Sequence, residues 1–388
     1  MRVLYLADRM SVRGGADLHL RQVMEWAVSS GYDVTMACGH VEKGVEPPPG
    51  VTVSRIRGLA SAVTSTRRLG GLAGLLADAE VVHVQNVMNP EVLRLAAGTG
   101  RAVVTVQDHR FFCPGMGKTL PDGRLCDQIM AAGPCSECLE DPDYRSRLIR
   151  LTRERRDALA GCAIVVLSRW MAERLAEVGL GGAHVIPPWF EPGPAAERTR
   201  TGVLMAGRLV PHKGVEDGWR AWLASGCGDP LLVAGDGPLH SRLDGAELLG
   251  WLSAADLRRT MRSVRVLLLP SYWQEPFGMV GVEALAESTP VIVAVSGGVT
   301  EWASAGSLRV PLGDVDAMAA AINRIFDEPG LADRLGREGR SMVTERFSRQ
   351  AAEARIRDLY GVTAERHDIA CAQPASYSEV VIREEDSR

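Results

Sequence analysis

The chain has 388 residues, of which 46% are hydrophobic and 24% charged, and its formal net charge is −4. This length supports two domains with separate cores, and the slight negative charge gives no general attraction to nucleic acid. No run of about 18 apolar residues occurs, so the sequence predicts no membrane-spanning helix. The first residues read as a β-strand and not as a secretory signal, and the eight cysteines are scattered, which together predict a reducing, cytoplasmic environment.

The first half of the chain alternates short apolar strands with helices, which is typical of a doubly wound parallel sheet. Helices are predicted over 16–30 and 170–178. The predicted strands are 2–7, 33–38, 51–56, 80–84, 102–106 and 163–167. We therefore predict a Rossmann-like N-terminal domain over 1–188 and a linker over 189–200.

A second alternating series predicts another Rossmann-like domain over 201–345, with an amphipathic helix at about 346–360 after it. Its predicted strands are 202–206, 231–234, 247–250, 264–269 and 291–294. The charge-rich residues 364–388 are predicted to be a disordered tail. In such sheets ligands bind beyond the carboxyl ends of the strands, so the cleft between the two domains is the expected site.

Charged residues follow two of the predicted strands in the second domain. Gly207 ends one strand, and Arg208 and Lys213 come directly after it. The strand 264–269 leads into a loop and helix that carry Glu275 and Glu283, eight positions apart. Arginine and lysine bind phosphate oxygens, and carboxylates accept hydrogen bonds from sugar and ribose hydroxyls. The pattern therefore favours a nucleotide sugar as the ligand.

With the turn Gly235-Asp-Gly-Pro238 between them, these segments closely resemble the retaining GT-B glycosyltransferases, in particular family 4. In that family a Gly-Arg-Leu…Lys-Gly segment, a Gly-Asp-Gly-Pro turn and a Glu-x7-Glu block occur in this order. The resemblance covers nearly all of residues 1–360. It implies an α/β GT-B fold, with two Rossmann-like domains facing across a cleft, of which the first, 1–188, would bind the acceptor and the second, 201–345, the nucleotide sugar.

The resemblance also implies an activity. The protein would move a sugar from a UDP-, GDP- or ADP-sugar donor to a hydroxyl acceptor, which could be a glycan, a lipid-linked sugar or a small metabolite, with retention of anomeric configuration. Arg208, Lys213 and Glu275 would act at the reacting centre, and we expect no cofactor for catalysis. The implied donor-binding residues are Gly14, Gly15, Gly207, Arg208, Lys213, Glu275, Phe277, Gly278, Met279, Val280 and Glu283.

One position departs from the family pattern. Gln107 stands where the family has a histidine near the transferred sugar, and a glutamine cannot carry a proton at neutral pH. His109 is the candidate to compensate, and His83 is a weaker candidate on the acceptor side. The family implies a front-face route in which the leaving phosphate takes the acceptor's proton. Double displacement through a carboxylate stays open.

Four cysteines form a second constellation. Cys113, Cys126, Cys135 and Cys138 lie in or beside a loop rich in glycine and proline. Four thiolates can hold a tetrahedral zinc, so we expect a structural metal that staples the loop near the acceptor pocket. An iron–sulfur cluster and four reduced thiols are the alternatives.

Six arginines between Arg145 and Arg156 lie on a predicted helix. They favour a solvated face over a weak contact with anionic lipid. Two rival functions remain, a nucleotide-sugar epimerase or hydrolase of the same fold and a noncatalytic nucleotide-sugar-binding subunit. The presence of both cations and both glutamates favours sugar transfer.

Overall fold

Parallel β-sheets organise both halves of the computed structural model, which describes residues 1–193 and 200–372. The described part of the first half forms one sheet of seven strands in the order β3-β2-β1-β4-β5-β6-β7. The strands are β1 (Arg2–Met10), β2 (Asp33–Val41), β3 (Val51–Arg55), β4 (Val81–Gln85), β5 (Ala102–Val106), β6 (Ala163–Val166) and β7 (His184–Val185). β4 and β5 are rich in β-branched residues and buried along their whole length, as expected for strands covered on both faces.

The helices of this domain are α1 (Gly15–Ser29), α2 (Leu72–Asp78), α3 (Pro90–Ala97), α4 (Pro142–Asp157) and α5 (Arg169–Ala176). Three of them begin at a side-chain cap, since Asn89, Asp141 and Ser168 accept hydrogen bonds from the first backbone amides. Apolar clusters fill both faces of the sheet. The first domain is therefore a three-layer α/β/α sandwich.

The second half repeats this design with six parallel strands in the order β10-β9-β8-β11-β12-β13. The strands are β8 (Val203–Ala206), β9 (Leu231–Ala234), β10 (Glu247–Gly250), β11 (Val266–Leu269), β12 (Val291–Ala294) and β13 (Ser307–Val310). The helices are α6 (Val215–Ser225), α7 (Ala254–Ser263), α8 (Met279–Ala286), α9 (Val315–Asp327) and α10 (Leu331–Arg346). The predicted class, two doubly wound α/β domains, is confirmed.

The sequence analysis missed the edge strands β7 and β13. β7 has two residues, and β13 alternates polar with apolar side chains instead of forming an apolar run. The predicted tail was wrong over 364–372, because the last helix, α11 (Arg349–Ala372), continues through these residues. No proline interrupts them before Pro374, and alanine and glutamate favour helix. Residues 373–388 and part of the predicted linker, 194–199, lie outside the described residues.

Helix α11 returns to the first domain, where Ile356, Leu359 and Tyr360 join its apolar core. The Tyr360 hydroxyl lies 2.9 Å from that of Tyr5 and 2.5 Å from His83 Nδ1. His83 is 2% exposed, and burial lowers its pKa to about 3. The structure therefore places His83 in the attachment of α11, between Tyr360 and Thr105, and its role on the acceptor side stays a prediction.

Strand order locates two crevices. The direction in which strands are added reverses between β1 and β4 in the first sheet and between β8 and β11 in the second. Loops that leave the carboxyl ends of such neighbouring strands diverge and open a ligand-binding crevice. Within the described residues, no helix combines the length and the apolar character required to cross a membrane.

Candidate active site

An ion pair stands at the crevice of the second domain. Lys213 follows β8 and Glu275 follows β11, and Lys213 Nζ lies 2.5 Å from Glu275 Oε1. The same carboxylate oxygen accepts a hydrogen bond from Ser271 Oγ at 3.0 Å. Glu275 is 7% exposed and Oε2 has no hydrogen-bond partner among the described residues. One oxygen is thus held by the protein and the other is available to a ligand.

The two loops are joined by close backbone contacts. Gly214 has φ +65°, and a Cβ at this position would lie 1.9 Å from the carbonyl oxygen of Pro270, so only glycine fits. The amide of Trp273 donates to the carbonyl of His212 at 3.1 Å, and the two rings pack with centroids 4.7 Å apart. Burial and the neighbouring cations Lys213 and Arg208 lower the pKa of His212 to about 4. His212 is therefore neutral at physiological pH.

Arg208 and Gly207 are exposed at the end of β8. Within the described residues, no hydrogen bond or ion pair holds the Arg208 side chain. Its charge acts together with that of Lys213 to lower the pKa of His212. The structure therefore offers one paired and one unpaired cation to an anionic ligand.

The loop 277–280 offers a ligand its backbone amides but not the side chain of Phe277, which is buried. Phe277 is 1% exposed and packs against Phe190 and Phe347, so its side chain belongs to the core. Gly278 has φ +76° and stands just before α8. The first amides of a helix have no acceptor within it, so those of Met279 and Val280 are free to bind a phosphate or a sugar oxygen.

Glu283 lies one turn further along α8, and its carboxylate forms no hydrogen bond or ion pair with the described residues. Burial raises its pKa to about 7, only partly opposed by Arg258. Glu287, four residues later, contrasts with it. Its oxygens pair with Arg258 Nε at 2.5 Å and Arg262 Nη1 at 2.7 Å. Of these two glutamates, Glu283 is the one that has no partner among the described residues.

The first domain approaches this loop through its glycine pair. Gly14 has φ +111° and precedes α1, and a side chain there would meet no protein atom within 4 Å. Gly15 lies against α8, since a Cβ at Gly15 would be 2.8 Å from Met279 Sδ. Ser168 Oγ also donates to the carbonyl of Pro276 at 2.7 Å. The glycine loop and the Glu275 loop therefore face the same cleft.

Gln107 belongs to a polar cluster that the sequence did not reveal. Its Nε2 lies 2.5 Å from His19 Nδ1, and its Oε1 accepts from Gln85 Nε2 at 3.1 Å. Gln85 ends β4 and His19 lies on α1, so two neighbouring elements fix the glutamine. Burial lowers the pKa of His19 to about 4. His19 was missed because a single histidine within an amphipathic helix has no distinguishing spacing.

His109 joins the two domains. Its Nε2 lies 2.8 Å from the carbonyl oxygen of Gly115, and its ring meets that of Trp273 edge-on with centroids 4.6 Å apart. Burial lowers its pKa, although Asp108 opposes this. Asp108 is itself held by two hydrogen bonds from the Arg110 guanidinium, at 2.8 and 2.7 Å. This placement favours a positioning role for His109 over proton transfer.

Asp8 is a second residue that the sequence analysis passed over. It lies near the carboxyl end of β1, and burial raises its pKa to about 6, although Arg9 opposes the effect. A carboxylate at the switch point of the first sheet could accept a hydrogen bond from a hydroxyl ligand. Only its position after a buried apolar strand could have indicated it.

The four predicted metal ligands line one small cavity of about 20 Å³. Among the described residues, no three His, Cys, Asp or Glu side chains are arranged as a ready-made metal site. The four cysteines were grouped in the sequence by their spacing alone, and in the structure all four line the same cavity.

Two family models match the chain, one over each half. The model described as Glycosyl transferase 4-like domain matches residues 14–189, and the model described as Glycosyl transferases group 1 matches residues 191–342. The two matches together take in most of the chain and meet near the predicted linker.

Curated relatives match over part of their length. Glycogen synthase of Mycobacterium tuberculosis is 32% identical over 184 residues, which is 43% of this chain and 44% of that protein. D-inositol 3-phosphate glycosyltransferase of Streptomyces griseus is 32% identical over 219 residues, 48% of this chain and 46% of that protein. The matched region thus spans less than half the length of these relatives.

Solved structures match along almost the whole chain. HepE of Anabaena, solved with UDP and glucose, gives a TM-score of 0.67 at 16% identity and covers 93% of this chain and 100% of its own. WaaG, a glycosyltransferase of lipopolysaccharide biosynthesis, gives 0.63 at 15% identity and covers 95% and 99%. At these identities the likeness shows the fold, which is that of the GT-B glycosyltransferases.

Proposed function

Because both halves of the chain match glycosyltransferase family models and the chain has the GT-B fold, we propose that it transfers a sugar from a nucleoside-diphosphate donor to a hydroxyl acceptor with retention of configuration. The observation that carries this proposal is the Lys213–Glu275 pair of 2.5 Å beside the free first amides of α8. Cations, a carboxylate and helix amides in one crevice match a diphosphate joined to a sugar.

In this proposal the cations serve the leaving group. Cleavage of the bond between the anomeric carbon and the diphosphate oxygen leaves negative charge on that oxygen. Lys213 keeps its bond to Glu275 Oε1 and directs its remaining N–H donors toward the diphosphate, and Arg208, which has no other partner in the described residues, binds the diphosphate as a fork. Fixed positive charge at the point where negative charge develops lowers the barrier, and removal of one such group typically costs about 10²–10³ in rate.

The glutamates serve the neutral parts of the donor. Glu275 Oε1 is held by Lys213 and Ser271, so Oε2 accepts a hydrogen bond from a hydroxyl of the transferred sugar. Glu283 accepts from the ribose hydroxyls. Its raised pKa of about 7 means that a bound hydroxyl donor compensates an otherwise costly buried charge. Family 4 membership is part of this proposal.

Retention follows a front-face route. The acceptor oxygen bonds to the anomeric carbon on the face that the diphosphate leaves, and the acceptor's proton passes to the departing phosphate oxygen. Gln107 supports this route, because the group fixed by His19 and Gln85 at the end of β5 is a neutral amide and not a nucleophilic carboxylate. Asp8, on the first-domain side, would orient the acceptor hydroxyl.

A donor panel tests the proposal. Purified protein is incubated with UDP-, GDP- and ADP-sugars and a mixture of glycan and small hydroxyl acceptors, and release of nucleoside diphosphate is followed together with the anomeric configuration of the product. We expect turnover with one nucleotide class and an unchanged anomer. Lys213→Met and Glu275→Gln should each lower turnover by about 10²-fold or more.

Glu328→Gln is the matched control, since this exposed glutamate follows the end of α9 and, among the described residues, forms an ion pair with Arg324 alone. Equal loss in the control and in Glu275→Gln would contradict the proposal. Donor binding without transfer in the wild-type protein would instead favour a nucleotide-sugar-binding subunit, and interconversion of the donor sugar would favour an epimerase.

A further inference from the structure

The cysteine loop, residues 113–138, reaches from the first domain to the loop that carries Glu275. Thr119 Oγ1 donates to the carbonyl of Tyr272 at 3.2 Å, and Gln274 Nε2 donates to the carbonyl of Lys118. A Cβ at Gly117 would lie 3.5 Å from the Trp273 ring. The cysteine loop therefore covers the three residues that immediately precede Glu275.

The fold also gathers the four thiols of this loop. A short antiparallel turn over Met116–Leu125 brings the chain from Cys113 back to Cys126. A Cβ built at Gly115 would lie 3.2 Å from Cys138 Cβ. The four cysteines line one cavity of about 20 Å³, enough for a single small occupant.

A buried cation, Lys118, lines this cavity and indicates that the cavity holds negative charge. Lys118 is 5% exposed. Its ammonium donates to the carbonyl of Gln128 at 2.6 Å, and within the described residues no carboxylate forms a salt bridge with it. A buried ammonium without a counter-ion is costly. The backbone amide of Lys118 points at Cys113 Sγ, 3.4 Å away, as amides do toward a negatively charged sulfur.

We propose that Cys113, Cys126, Cys135 and Cys138 bind one Zn²⁺ as a tetrathiolate, and that this site holds the cysteine loop against Tyr272–Gln274. Four thiols lose their protons to solvent and bond to the ion, which gives a complex of charge 2−. Lys118 then neutralises part of that charge. The thiols are not arranged for ligation without the ion, so their side chains rotate into the cavity when it binds.

Zinc therefore fixes the wall of the donor site. Because His109 packs on Trp273 beside the same loop, loss of the ion would free both residues and loosen the segment before Glu275. The effect on donor binding rests on the proposed function, whereas the metal content and the backbone protection do not.

Metal analysis of the full-length, untagged protein tests the site. The wild-type chain should contain about one zinc, and the Cys135→Ser/Cys138→Ser variant less than about a tenth. Cys162→Ser is the matched control, since Cys162 is half-buried and lies outside this cavity. Lys118→Met keeps all four ligands and should weaken zinc about tenfold in a chelator competition.

Hydrogen exchange tests the consequence. The peptide containing Tyr272–Gln274 should exchange faster in the double cysteine variant and unchanged in Cys162→Ser. Less than a tenth of a zinc per wild-type chain with all four thiols reactive, a mass lower by two hydrogens for each disulfide formed, or bound iron would each overturn the zinc site. Zinc at full occupancy with no change in exchange on its loss would overturn its role in holding the donor loop.

Discussion

Glu283→Gln should stabilise the folded protein and weaken donor binding at the same time. Burial raises the pKa of Glu283 from 4.5 to about 7. The charge is therefore disfavoured in the folded state, and the penalty is absent below pH 4.5, grows as the pH rises to 7 and is complete above it. The full difference corresponds to at most about 3 kcal/mol. Because Glu283 is only half-buried, we expect about 1–2 kcal/mol after solvent screening.

The assay is thermal unfolding at pH 8 and pH 4, with nucleoside-diphosphate binding measured at pH 8. At roughly 2–4 °C per kcal/mol, the midpoint of Glu283→Gln should rise by several degrees at pH 8 and stay unchanged at pH 4. Nucleotide affinity should fall about tenfold, because a charged hydrogen-bond acceptor is lost.

Glu287→Gln is the matched control, at the residue that directly follows α8. Its carboxylate pairs with Arg258 and Arg262, so its loss should destabilise the protein by about 3 kcal/mol. The reasoning is refuted if Glu283→Gln lowers the midpoint at pH 8, or if its effect is the same at both pH values.

Three further predictions concern the first domain. Asp8→Asn should remove the fall in kcat/KM below about pH 6 while activity stays within tenfold of wild type; loss of all turnover would indicate a carboxylate nucleophile and double displacement. Gly15→Val should raise the donor KM severalfold, because the new side chain meets Met279, whereas Gly70→Val, at an exposed turn where a Cβ meets no atom within 4 Å, should leave the KM unchanged. Tyr360→Phe should cost about 1–3 kcal/mol in urea unfolding, because Tyr5 and His83 lose a buried partner; the same loss in the exposed control Tyr144→Phe would contradict this account of the attachment of α11.

Sequence patterns revealed the parts of the molecule that depend on residues close together along the chain. The buried strands were predictable because β8, β11 and β12 are continuous apolar runs and β4 and β5 are mostly apolar. Lys213 and Glu275 stood out because they follow β8 and β11. Their contact could be expected from the switch point between neighbouring strands. The predicted donor-binding role of Phe277 can involve only its backbone, because its ring packs in the core against Phe190.

Contacts between distant segments were not predictable in the same way. The cluster of His19, Gln85 and Gln107 joins three elements, and no local spacing indicates which polar side chains meet. The same holds for the packing of His109 on Trp273, which depends on how the two domains approach each other. The end of α11 was missed because charge in an amphipathic helix resembles charge in a disordered tail.

The most direct test of the Lys213–Glu275 site is a titration of nucleoside diphosphates and monophosphates into the wild-type protein and Lys213→Met. UDP, GDP and ADP are each compared with the corresponding monophosphate, which requires no knowledge of the acceptor. We expect the wild-type protein to prefer one diphosphate over its monophosphate, and Lys213→Met to lose about tenfold or more in affinity for that diphosphate alone. Equal affinity for the two nucleotides in the wild-type protein, or a preference that survives in Lys213→Met, would contradict the account.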